Sequence, residues 1–113
     1  MTVTIYHNPR CNASRRTLAL LEKKGITPIV VEYLKTPPTV LELKQLLAKL
    51  GLGPRELLRK KEAKEAGLDK PDLSDAQLIA GMAKHPIAIE RPIVVKGNRA
   101  ALGRPPEAVL KIL

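Results

Sequence analysis

The chain has 113 residues, 44% of them hydrophobic, and twenty Lys and Arg against eleven Asp and Glu give a net charge of +9. This composition excludes a disordered chain and fits one domain. No apolar run reaches the roughly 18 residues of a membrane span, and Met1 to Tyr6 lacks a basic segment leading into an apolar one, so the expected location is the cytoplasm.

Thr2 to Tyr6 alternates β-branched and apolar residues and reads as a strand. His7-Asn8-Pro9-Arg10 interrupts it with turn chemistry, and Cys11 follows at once. Asn12 to Lys24 favours helix, with Leu18 and Leu21 on one face and Gly25 where a C-cap is expected. Pro28 to Tyr33 is a second strand, so the first part is a βαβ unit with parallel strands.

Thr36-Pro37-Pro38-Thr39 stops the chain and restarts it. Thr39 is placed to cap a helix carrying Leu43, Leu46, Leu47 and Leu50, which Gly51 and Gly53 end. A charged helical stretch is expected from Pro54 through Lys64, and another helix from Ser74 to Lys84. Pro92 to Val95 is a third strand. Lys96-Gly97-Asn98 signals a hairpin into a fourth, Arg99 to Leu102. Pro105-Pro106 starts a last helix, Glu107 to Leu113.

The chemistry concentrates at the single cysteine. Cys11 has no partner for an internal disulfide and no resolving thiol, which suits a reducing compartment. A thiol at a helix N-terminus is ionised more easily than a free one, because unpaired backbone N–H groups and the helix dipole stabilise the thiolate. The same N–H groups hold oxyanions. His7 is positioned to tune the sulfur as an imidazolium or to end the strand. Ser14 stands three residues beyond Cys11 and offers a hydroxyl to the thiolate or to a bound anion. Asn8 and Asn12 are suited to holding the loop.

Phe and Trp are absent, and Tyr6 and Tyr33 are the only aromatics. Single-strand nucleic-acid binders rely on aromatic stacking, so the basic excess is read as a field for small oxyanions. His7 and His85 are far apart and lack partners at metal spacing, so no metal site is expected.

The string HNPRCNAS resembles the HNPxCxxS signature of the glutaredoxin-dependent arsenate reductases. The resemblance continues through YLKTPPT (33–39), RELLRKKE (55–62), HPIAIERPIVV (85–95) and LGRPPEAVLKIL (102–113). It covers essentially the whole chain and is similar to the short, chromosomally encoded branch of that family. Asn12-Ala13 departs from it, standing where better-studied members have Gly-Thr.

The resemblance implies an α/β, thioredoxin-like fold with a mixed four-stranded sheet. The core would be residues 1–38 and 85–113, and a helical insertion would span 39–84 of a single domain. It implies Cys11 as nucleophile and Arg59, Arg91 and Arg104 as oxyanion-binding arginines. His7, Asn8 and Ser14 would support the loop, and Pro92 would be a cis-proline. The implied reaction is reduction of arsenate to arsenite through a Cys11 thiolate–arsenate adduct, with glutathione and glutaredoxin as external reductants. No bound cofactor, no metal, no membrane partner and a monomer are expected. Two other readings are a monothiol glutathione-linked oxidoreductase and a non-catalytic Spx-like regulator on the same scaffold.

Overall fold

The computed structural model describes residues 2–113. The chain folds into two compact units, one ending at Thr36 and resuming over Arg91–Leu113, the other Pro37–Glu90.

The first unit is built on four strands, β1 (Val3–His7), β2 (Ile29–Glu32), β3 (Ile93–Lys96) and β4 (Arg99–Leu102). Their order is β2-β1-β3-β4. β1 runs parallel to β2, with Thr4 opposite Ile29 and His7 opposite Glu32. β3 is antiparallel to both β1 and β4. Lys96 faces Arg99 across a two-residue turn in which Gly97 takes a φ of 62°, a conformation that favours glycine. Parallel and antiparallel pairings therefore meet in one mixed α/β sheet, the thioredoxin-like arrangement implied by the resemblance.

Val3, Ile5 and His7 alternate inward along β1, as a strand with one buried face requires. Helix α1 (Asn12–Lys23) buries Ser14, Thr17 and Leu21, spaced three and four residues apart. Gly25, at φ 79°, and Ile26 donate their N–H groups to Glu22 and Leu21 carbonyls and stop the helix. Val3, Ile5, Leu21, Val94, Val109 and Ile112 close one core. Each of these buried aliphatics contributes about 1.5–3 kcal/mol relative to an exposed one. The last helix, expected from Glu107 to Leu113, is a 3-10 helix over Pro106–Ile112.

The second unit contains α2 (Val40–Leu50), α3 (Lys60–Glu65) and α4 (Asp75–Lys84). Thr39 and Glu42 form a reciprocal capping box at the start of α2, and Ser74 with Gln77 does the same for α4. The helix expected from Pro54 to Lys64 is interrupted. A 3-10 turn covers Pro54–Leu57, and α3 begins only at Lys60. The break has a hydrogen-bonding cause. The Leu57 carbonyl accepts from Glu90 N–H, and Arg59 N–H donates to the Ala88 carbonyl, so this backbone pairs with 88–90. Ala63, Leu68, Leu78 and Ala88 form the core of this unit. Among the described residues, no helix is long and apolar enough to cross a membrane.

Candidate active site

The loop between β1 and α1 is held by its own polar groups. Cys11 N–H donates to the Asn8 carbonyl at 3.0 Å, closing a turn over Pro9-Arg10. Asn8 Oδ1 accepts from Arg10 N–H at 3.0 Å, a local side-chain bond that gives Asn8 the structural role expected of it. Cys11 then occupies the N-cap of α1 with extended backbone and has no side-chain oxygen with which to cap it. Its sulfur is left beside the unpaired N–H groups of the first helical turn.

Two guanidinium groups from the other end of the chain meet that sulfur. Arg104 approaches Cys11 Sγ to 3.5 Å and also donates Nε–H to the Arg91 carbonyl at 2.8 Å. Arg91 is itself buried and hydrogen-bonds the sulfur. The Arg91–Pro92 bond is cis, as the resemblance implied, and the Arg104–Pro105 bond is cis as well. Each arginine thus precedes a cis-proline, one at the start of β3 and one after β4. Gly103 lies between them, and its N–H donates to the Pro92 carbonyl at 3.0 Å.

Burial pushes the Cys11 thiol up, but the opposing causes win. The Ser14 backbone N–H, the Arg91 hydrogen bond and the charges of Arg104 and Arg91 bring it below the ordinary thiol value. A thiolate with two planar cation forks beside it is a nucleophile combined with an oxyanion cradle. Among the described residues, no group of three or more His, Cys, Asp or Glu gathers to hold a metal ion.

Residues 6–112 match the model of the ArsC family. The chain belongs to the ArsC family. An arsenate reductase of Haemophilus influenzae is 50% identical over 116 residues, covering 100% of both chains. The Escherichia coli K12 protein YfgD is 50% identical over 114 residues, which are 98% of this chain and 96% of its own length. The solved arsenate reductase structure from Vibrio cholerae has a TM-score of 0.96 at 56% identity and covers 100% of this chain and 98% of that one.

This ArsC-family chain therefore brings four of the expected residues to one loop, His7, Asn8, Cys11 and Ser14, and adds Arg91 and Arg104. Arg59 belongs to the other unit. There its Nε–H donates to Glu62 at 2.9 Å and a terminal nitrogen lies 3.4 Å from Glu90. His7 and Ser14 support the loop through a bond to each other. The Ser14 hydroxyl lies 2.6 Å from His7 Nδ1 and accepts from Asn8 N–H at 3.0 Å, so it latches the loop to β1. His7 ends β1, one of the two roles open to it, and its surroundings disfavour the imidazolium. Burial holds it below the ordinary histidine value, Arg15 acts in the same direction, and Glu32 only partly offsets them. Thr17 was not foreseen. It is fully buried, bonds the Ala13 carbonyl at 2.8 Å and packs where a side chain at Gly103 would stand. Its only signal in the sequence is a polar residue on the buried face of α1.

Proposed function

We propose that this protein is an arsenate reductase that draws its electrons from glutathione and glutaredoxin. The observation that carries the reading is the Cys11 sulfur at the N-cap of α1, with Arg104 at 3.5 Å and Arg91 hydrogen-bonded to it. The names of the full-length relatives support the substrate, and the single cysteine supports an external source of thiols.

Arsenate and thiolate repel each other, and the guanidinium groups of Arg91 and Arg104 offset that repulsion. Arg59 is the third arginine by correspondence with the family. The Cys11 thiolate attacks arsenic, water leaves, and a sulfur–arsenic bond forms. Glutathione adds as a second thiolate ligand with loss of another water. A glutaredoxin thiolate then attacks the glutathione sulfur. The arsenic–glutathione bond breaks, its electron pair stays on arsenic, and As(V) becomes As(III). The carrier departs as its mixed disulfide with glutathione. Hydrolysis of the remaining bond releases arsenite and returns Cys11. The thiol supply places this chemistry in a reducing compartment, the cytoplasm.

The test is arsenate-dependent NADPH oxidation with glutathione, glutathione reductase and glutaredoxin. Wild type should turn over and Cys11→Ser should not. Near-wild-type activity in that variant would end the proposed chemistry.

A further inference from the structure

Charge is divided unevenly between the two units. The unit holding Cys11 carries eleven Lys and Arg against three Asp and Glu, whereas Pro37–Glu90 carries nine against eight. Nearly all of the chain's positive excess therefore belongs to the unit with the reactive sulfur.

Within that unit five of the six arginines gather near the sulfur, and Arg99 starts β4. Arg10, Arg15, Arg16, Arg91 and Arg104 belong to the Cys11 loop, the first turns of α1 or the sulfur itself. Lys23 and Lys24 lie at the far end of α1, about 18 Å from Cys11 at 1.5 Å per residue. Arg91 and Arg104 suffice to flank the sulfur. Arg10, Arg15 and Arg16 are exposed, and none forms an ion pair among the described residues.

A shallow cleft of about 350 Å³ runs along the same helix. Arg16, Ala19, Leu20 and Lys23 share one face of α1 at helical spacing and line one wall, with Pro106 and Glu107 opposite. Its floor is apolar, and cations stand at both ends of the helical wall. Glu107 is its one acid. This surface is far longer than a tetrahedral oxyanion, so small-substrate binding does not account for it.

We propose that the α1 face from Arg10 and Cys11 to Lys23 is the docking surface for an acidic thiol–disulfide carrier protein, whose carboxylate-rich surface around its own thiol lies along Arg16 and Lys23. The proposal rests on the reading that an external thiol carrier completes turnover. Nucleic acid fits the charge but not the surface, because Tyr33 is buried, Tyr6 belongs to β1 and not to α1, and no Phe or Trp is available for stacking.

The test needs no arsenate. Cys11 is converted to its mixed disulfide with glutathione by glutathione disulfide. An acidic glutaredoxin is then added. Its thiolate attacks the glutathione sulfur, the Cys11 thiolate leaves, and the glutaredoxin carries the glutathione away. At low salt, R16E/K23E should lower the second-order rate constant of this step by about tenfold, since steering by surface charge raises association rates by roughly 10–10³-fold. The difference should vanish near 1 M salt, where screening reaches about 3 Å. Dithiothreitol should release glutathione from both proteins equally fast. An unchanged rate constant with glutaredoxin overturns the proposal. So does an equal fall with dithiothreitol, which would place the effect on the sulfur. Single-stranded RNA binding that is lost in R16E/K23E while the glutaredoxin rate holds would assign the face to nucleic acid instead. Absence of arsenate turnover in wild type, with this result intact, would sink the proposed substrate and leave the docking surface standing.

Discussion

His7 Nδ1 and Ser14 Oγ stand 2.6 Å apart, joining the last residue of β1 to the first turn of α1 across the loop that carries Cys11. Both side chains are buried, and the same hydroxyl accepts from Asn8 N–H. Ser14→Ala removes the shared partner of two buried groups. It should cost about 1–3 kcal/mol, the penalty for leaving such groups unsatisfied, as measured by urea denaturation. A loss below 0.5 kcal/mol by the same measure would mean that the latch is dispensable.

His7 also sets a pH dependence. Its folded-state value lies below the ordinary one of about 6.5, so the unfolded chain takes up the proton first as pH falls. Stability therefore rises with pH wherever the unfolded state binds more protons. The His7 contribution should be complete above pH ~6.5 and decline below it. Urea midpoints of wild type and His7→Gln, followed from pH 8 to pH 5, should converge at the acid end. Parallel curves would rule this out.

The low thiol value of Cys11 depends on the arginine in contact with it. Arg104→Met keeps bulk and removes charge. It should shift the midpoint of iodoacetamide alkylation against pH upward, toward the free-thiol value near ~8.5. A midpoint unchanged in the variant would show that Arg104 does not act on the sulfur.

These relationships mark how far the sequence could be read. The reactive loop was legible because its determinants are neighbours in the chain, a strand, a turn with Pro9, one thiol and a helix. The caps at Thr39 and Ser74 and the hairpin at Gly97-Asn98 are equally local. That Ser14 would support the loop was legible, but whether its hydroxyl meets sulfur or imidazole was not, because that depends on where β1 places His7. The interruption after Leu57 was missed for a similar reason, since its cause lies some thirty residues further on, at 88–90.

Arg59 gives a sharper case. Paired with Glu62 and Glu90, it sits in a cluster with a formal charge of −1, which repels an oxyanion. The role implied by the family requires the guanidinium to trade a carboxylate for substrate. Glu62→Gln and Glu90→Gln should each lower the arsenate KM by about two- to fivefold, because partly exposed ion pairs contribute about 1 kcal/mol or less. An unchanged KM in both would leave Arg59 outside the anion site.

Gly103, between the two arginine loops, has no room for a side chain. An added Cβ would overlap Thr17 Oγ1 and come within 2.7 Å of Pro92 Cγ, and neither partner is a flexible chain end. Gly103→Ala should destabilise by about 1–3 kcal/mol, the usual penalty for overpacking, read as a lowered denaturation midpoint. A wild-type midpoint would mean that these loops yield.

The sulfur at the start of α1 carries a wider consequence. Ser, Asp and Asn are the preferred residues at an N-cap and hold the helix better than residues that cannot accept there, by about 1 kcal/mol. Cys11 offers the Ser14 N–H a sulfur in place of such an oxygen. Sequences drifting toward greater heat resistance would be drawn to replace the one atom on which the chemistry turns. A thermostability screen run without selection for turnover should therefore enrich inactive proteins at this position, and any long-lived lineage that keeps the cysteine does so against that pull.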